Sequence, residues 1–264
     1  MINIDNICND LCKIREISPL VHNITNYVAM NFSANALLAI GASPVMAHEP
    51  EEMEQMASIV GALVINIGTL DQLWVEAMLI SGEAMSKLSK PVIFDPVGAG
   101  ATAYRTRVSW QIIERCKPTI IRGNASEIMA LVDAGIISKG VDSSHSSDVA
   151  LESAKWLAKQ TGAVVVISGE VDYITDGDRV EAVLNGSKMM TRVTAMGCTA
   201  SSMIGVFAAV NCDPFEAAVN AMAVMSIAGE IAATNSIGSG SLQINFIDEL
   251  YNINSQTISK YAKL

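Results

Sequence analysis

Short, nearly continuous apolar runs recur along the chain between longer stretches of helical period. Ala62-Leu-Val-Ile-Asn-Ile67, Pro91-Val-Ile-Phe-Asp95, Thr119-Ile-Ile-Arg122 and Ala163-Val-Val-Val-Ile-Ser-Gly169 have the pattern of strands covered on both faces, as in a parallel sheet. Amphipathic or apolar helices are predicted over 4–16, 28–40, 50–60, 68–90 and 147–161. Asn26 is the expected N-cap and Gly41 the expected C-cap of the second of these helices. Residues 43–50 predict a short strand and an exit loop. Residues 171–184, around Asp176-Gly-Asp178, predict a hairpin, and 188–193 one more short strand. Asp213-Pro-Phe-Glu216 opens a helix to about 234 with Pro at its first position, and a last amphipathic helix is predicted over 243–260. The alternation implies an α/β fold with a mostly parallel sheet and right-handed crossovers. Without an internal repeat or linker, residues 1–264 read as one domain.

The stretch Thr191-Arg-Val-Thr-Ala-Met-Gly-Cys-Thr-Ala-Ser-Ser202 predicts a strand end, a tight turn and the start of a helix of small and apolar residues. Free amides from Ala195 to Thr199, together with the helix dipole, would favour an anion there. Gly197 allows close backbone approach, and a thiol at Cys198 is expected to have its pKa lowered in such a turn. The same residues also suit nothing more than tight helix packing. Asp95 stands at the carboxyl end of a predicted strand and is followed by Pro-Val-Gly-Ala-Gly100, where open α/β sheets bind ligands; capping of the next turn is an equal reading. Asn124 and Glu127 have capping-box spacing. His22 reads as a hydrogen-bonded structural histidine, and His145 as an exposed loop residue.

Composition narrows the function classes. Half of the residues are hydrophobic and only 5 % are aromatic, so the core must be aliphatic, with Ala and Met prominent. A net charge of −10 argues against nucleic acid or an anionic membrane as the main partner, though local amides or a metal can still bind phosphate. Five scattered cysteines and an N-terminus without a basic or apolar leader point to free thiols in a reducing, cytoplasmic setting. The apolar stretches 193–212 and 217–233 contain Ser, Thr, Asn or Glu and lack basic flanks, as buried helices do.

Taken in order, His22-Asn-Ile-Thr-Asn-Tyr-Val28, Ser43-Pro-Val-Met46, Asp95-Pro-Val-Gly-Ala-Gly100, Arg122-Gly-Asn-Ala-Ser-Glu127, Ser168-Gly-Glu-Val-Asp172 and Val193-Thr-Ala-Met-Gly-Cys198 closely resemble the hydroxyethylthiazole kinase family. These are thiazole-salvage enzymes of thiamine biosynthesis within the ribokinase-like group, and the resemblance covers about residues 15–235. It implies a three-layer α/β/α fold and ATP-dependent phosphorylation of the primary alcohol of 4-methyl-5-(2-hydroxyethyl)thiazole. By the same resemblance Asn26, Met46 and Ala195 line the thiazole site, and Arg122, Ser168 and Gly197 line the ATP site. Asp95 and Glu127 are then the acidic positions around Mg²⁺, and Cys198 is the catalytic base. Where the family commonly has Gly-Thr-Gly-Cys, this chain has Ala195-Met-Gly-Cys198. The family is typically a homotrimer with sites between subunits, and the apolar stretch 17–47 is hard for one monomer to bury. The alternatives to be separated are a kinase of the same fold acting on hydroxymethylpyrimidine or pyridoxal, and a non-catalytic phosphate-ligand sensor.

Overall fold

The computed structural model describes residues 3–139 and 149–263; His145 lies outside them. In chain order the elements are α1 (Ile4–Ile17), β1 (Leu20–Ile24), α2 (Met30–Ile40), β2 (Ser43–Val45), α3 (Met53–Ile59), β3 (Ala62–Asn66), α4 (Gln72–Lys87), β4 (Val92–Asp95), α5 (Ala103–Cys116), β5 (Ile120–Asn124) and α6 (Ala125–Lys139). They continue with α7 (Val149–Thr161), β6 (Val164–Ser168), β7 (Asp172–Thr175), β8 (Val180–Val183), α8 (Met196–Ala208), α9 (Pro214–Thr234), α10 (Ser239–Asn252) and α11 (Ser255–Tyr261). One sheet holds all these strands in the order β2-β1-β3-β4-β5-β6-β7-β8. Every pairing from β2 through β6 is parallel, and the β7–β8 hairpin is added antiparallel at the edge.

The apolar runs are continuous because both faces of these strands are covered. In β3, Ala62 and Val64 join the core on one side while Leu63 and Ile65 join the other. The same split separates Val164 and Val166 from Val165 and Ile167 in β6, as strand alternation requires. One helical layer is built from α1, α2, α8, α9 and α10, and the opposite layer from α3 to α7. The chain is therefore an α/β/α sandwich around a mostly parallel sheet.

Helix α8 runs through the middle of the first layer and packs hard on the sheet. A Cβ added at Gly205 would lie 2.6 Å from Val64 Cγ2, so only glycine permits this approach. Helix α9 is long and apolar enough to cross a membrane, yet 83 % of its apolar window is buried inside the protein; its hydrophobicity is used by the core.

Three local expectations are corrected. Asn26 is not the N-cap of α2: it closes the preceding turn, its Oδ1 accepting from Ala29 N at 3.0 Å, and Ala29 takes the N-cap position. Residues 188–192 form a 3₁₀ turn instead of a strand, started by Ser187 Oγ accepting from Met189 N. The last helix is broken at Ile253, whose carbonyl accepts from Arg15 Nη2 at 2.7 Å, and Asn254 then caps α11 through Thr257 N.

The start of α8 is strained. Ala195, its N-cap, has φ 69° and ψ −5°, a left-handed conformation, and makes no side-chain cap. An L-residue there costs about 1–2 kcal/mol, offset in part by the ~0.5–1 kcal/mol of extra chain entropy that glycine loses on folding. Ala195→Gly should therefore stabilise the protein by about 0.5–1 kcal/mol, raising the melting temperature by about 1–4 °C. A thermal melt showing a lower midpoint would contradict this assignment of strain.

Candidate functional site

The carboxyl ends of the parallel strands converge on the first turn of α8. Asn66 ends β3, Asp95 ends β4 and Ser168 ends β6, while Arg122 lies on β5. Asp95 is 1 % exposed. Its Oδ2 accepts from Ser201 Oγ at 2.7 Å and from Asn66 Nδ2 at 2.9 Å, and Arg122 Nη1 stands 3.8 Å away. Its Oδ1 has no partner. Burial raises the Asp95 pKa from 3.8 to about 6, against the pull of Arg122.

Asn26 and Asn66 form the next link. Asn26 Nδ2 donates to Asn66 Oδ1 at 2.9 Å and to the Cys198 sulfur at 3.2 Å. Asn66 Oδ1 also accepts from Gly68 N. Both N–H groups of the Asn26 amide are thus engaged by the protein, leaving only its oxygen with spare capacity. The expectation of a lowered Cys198 pKa is corrected. Burial is the leading effect and raises it, the Asp95 carboxylate adds to that, and the Asn26 and Asn66 amides and Arg122 oppose it. The helix-start field is outweighed because the thiol is removed from water beside another anionic group.

The helix start itself is free to receive an anion, with fewer amides than the Ala195–Thr199 set expected. Thr199 N donates to Ala195 O at 2.8 Å, so the uncommitted amides of the turn are those of Met196, Gly197 and Cys198. A Cβ at Gly197 would lie 2.9 Å from Arg122 Nη1, and glycine is what lets the guanidinium close on the turn. Hydroxyls further along hold the helix in place. Thr199 bonds Ser33 of α2 at 3.1 Å, and Ser202 donates to Asn23 of β1 at 2.8 Å.

Arg122 Nη2 donates to Ser168 Oγ at 2.5 Å. Both line a cavity of about 680 Å³ together with Gly197, Asp172, Met190 and Met225. The three residues expected at ATP therefore share one cavity. Asn26, Met46, Ala195, Asp95 and Glu127 do not line it. Met46 follows β2, the edge strand opposite the β7–β8 hairpin, and is half-buried. His22 is buried, its Nε2 2.8 Å from Ala47 O, as a structural histidine would be. Asp172 is buried in the cavity wall, accepting from Gly169 N at 2.9 Å, with burial raising its pKa.

Glu127 forms the expected capping box: Glu127 N donates to Asn124 Oδ1 and Glu127 Oε2 accepts from Asn124 N, both at 2.9 Å. Its Oε1 accepts from Gly98 N at 2.8 Å, tying the glycine loop after β4 to α6. Among the described residues no three His, Cys, Asp or Glu side chains cluster as a metal cage. The unpaired Asp95 Oδ1 fits a cation held mainly by phosphates and water, the arrangement Mg²⁺ favours.

Asn66 and Ser201 were not singled out in the sequence. Asn66 does carry a signal, a polar residue closing an apolar strand, which Asp95 shares. Ser201 carries none, since Ser is common in helices of small residues.

The Hydroxyethylthiazole kinase family profile matches residues 11–256. The chain is 51 % identical over 255 residues to the hydroxyethylthiazole kinase of Leptospira biflexa serovar Patoc, covering 97 % of this chain and 96 % of that one. It is similar in structure to the hydroxyethylthiazole kinase protein of Pyrococcus horikoshii OT3, with a TM-score of 0.91, 42 % identity and 98 % of each chain covered. A ribokinase-like superfamily protein of Enterococcus faecalis, 13 % identical, shares the fold at a TM-score of 0.67 over 99 % of this chain and 96 % of that one.

Burial of Asp95 makes a stability prediction with a defined sign. The folded pKa is raised, so the protonated carboxyl's advantage is complete below pH ~4 and is lost as pH rises through about 6. Asp95→Asn should melt close to wild type at pH 4 and higher at pH 8. The gain is up to about 3 kcal/mol, at about 1.36 kcal/mol per pKa unit. An Asn variant less stable at pH 8 than at pH 4, relative to wild type, would contradict this.

Proposed function

The chain belongs to the hydroxyethylthiazole kinase family, and from that premise we propose that it transfers the γ-phosphoryl group of ATP to the primary alcohol of 4-methyl-5-(2-hydroxyethyl)thiazole in thiamine salvage. The observation that carries this reading is the first turn of α8. Three uncommitted amides and Arg122 meet there on one side, and Cys198, bonded to Asn26, stands on the other.

In the proposed mechanism ATP occupies the cavity lined by Arg122, Ser168 and Gly197, and the thiazole alcohol lies on the Asn26 side with Met46 and Ala195. A Mg²⁺ held by Asp95 and Glu127, in part through water, would supply neutralisation of triphosphate charge. Arg122 pairs with phosphate, and the Met196, Gly197 and Cys198 amides receive the charge that builds on the transferred group. The alcohol oxygen bonds to phosphorus as the bond to the ADP leaving oxygen breaks, and the alcohol proton passes to the Cys198 thiolate. The raised thiol pKa keeps the thiolate fraction low, but in a loose transition state the hydroxyl keeps its proton until late, so a modest base suffices. A carboxylate pair around bound triphosphate has no purpose in a mere phosphate sensor. The reading is of a cytoplasmic enzyme acting on small molecules, with no nucleic-acid or membrane partner.

The test is ATP consumption with and without the thiazole alcohol, with pyridoxal and hydroxymethylpyrimidine as competing substrates and excess chelator as control. Turnover dependent on the thiazole and on a divalent cation is expected; equal rates without any alcohol, or preference for either competitor, would overturn the reading. Cys198→Ala should lower kcat by roughly ten- to a few hundred-fold, at or below the usual worth of acid–base catalysis. Cys198→Asp should stay substantially active. The wild-type kcat should climb through the alkaline range as the raised thiol ionises, and that of Cys198→Asp should be flat there. A Cys198→Ala variant with wild-type turnover would remove the thiol from the mechanism.

We further propose a homotrimer with sites shared between subunits. Tyr27 and Val28 follow Asn26 and are 62 % and 61 % exposed, an apolar rim beside the thiazole side that a neighbouring subunit would cover. Sedimentation should give a trimer at micromolar concentration, and an active monomer would refute the shared site.

A further inference from the structure

Asn66 has a place in this network that its position at a strand end alone does not require. It is 1 % exposed, and each end of its amide is committed to a different part of the site. Its Oδ1 accepts from Asn26 Nδ2 and from Gly68 N, both at 2.9 Å, and its Nδ2 donates to Asp95 Oδ2 at 2.9 Å. An amide in this setting has one orientation only, because a flip would set its oxygen against the carboxylate and its N–H against two donors. Ser201 takes the same Asp95 oxygen, so the other oxygen, Oδ1, is the one left unpaired. On the far side, the second N–H of Asn26 is thereby directed at the Cys198 sulfur.

We propose that Asn66 is a positioning residue for phosphoryl transfer: its one amide locks the Asp95 carboxylate and the Asn26–Cys198 pair into mutual alignment, coupling the phosphate side of the site to the alcohol side. This rests on the kinase reading above and adds to it a residue whose amide bonds to Asn26, Asp95 and Gly68 of the protein itself. Misplacing reacting groups by about an ångström costs on the order of a hundredfold in rate. Loss of the lock should therefore appear in kcat and leave nucleotide binding, which is centred on Arg122 and Ser168, nearly unchanged.

The experiment compares wild type, Asn66→Ala and Asn66→Asp. The Asp variant keeps the side chain's size and its acceptor oxygen but removes the donor to Asp95. Steady-state kcat and KM for ATP and the thiazole alcohol are measured with melting temperatures, together with the equilibrium affinity for a non-hydrolysable ATP analogue by calorimetry. Both variants should lose roughly ten- to a hundredfold in kcat, with analogue affinity within about threefold of wild type. If Asn66→Ala does not fold, Asn66→Asp decides. A folded variant with kcat within twofold of wild type would overturn the proposal. So would losses confined to stability and affinity, or failure of both variants to fold, since any of these makes Asn66 merely structural. Absence of thiazole-dependent turnover in the wild type would instead overturn the kinase reading beneath it.

Discussion

A carboxylate held almost completely out of water at the carboxyl end of a central parallel strand is the constraint on which this site depends. Asp95 cannot be ionised there without partners, and the partners come from three separate elements: the donors Asn66 on β3 and Ser201 on α8, and the Arg122 cation on β5, 3.8 Å away. Each must sit in register with the end of β4 for the charge to be tolerated. The cost of leaving that carboxylate unsatisfied thus fixes how α8 docks on the strand ends. With α8 in place, its first turn has nowhere to go but over Arg122, and Gly197 supplies the clearance.

The small residues of α8 serve the same end at two scales. Gly205 brings the helix down on Val64 and into the core, while Thr199, Ser201 and Ser202 exchange hydrogen bonds with α2, β4 and β1. Buried hydroxyls of this kind stabilise little on balance, but a mismatched partner is costly, so they select one docking position among many that apolar packing alone would allow. The strained Ala195 at the helix start is tolerated within that framework. The helix start and the exposed apolar rim at Tyr27 and Val28 are linked through the Asn26–Cys198 hydrogen bond.

Much of the architecture was legible in the sequence because the signals are local. Runs such as 62–67 and 163–169 have the pattern of strands buried on both faces, and Asp213-Pro214 marks a helix start without outside help. Asp95 was legible as a carboxylate after an apolar strand, and the cavity brings together Arg122, Ser168 and Gly197, which the resemblance had grouped. What escaped depends on distant partners. The direction of the Cys198 pKa is decided by burial and by Asp95, far away in the chain. The role of Asn66 is visible only once β3 and β4 pair with Asn66 opposite Asp95. The strand expected over 188–193 gives way to a 3₁₀ turn, which Ser187 opens by accepting from Met189 N.

The central claim is that the first turn of α8 is where the two substrates meet. It is tested most directly by an experimental structure with a non-hydrolysable ATP analogue and the thiazole alcohol both bound. The account predicts the terminal phosphate on the amides of Met196, Gly197 and Cys198 beside Arg122, with the alcohol oxygen within hydrogen-bond reach of the Cys198 sulfur. A terminal phosphate bound away from that turn, or an alcohol oxygen directed away from Cys198, would contradict it.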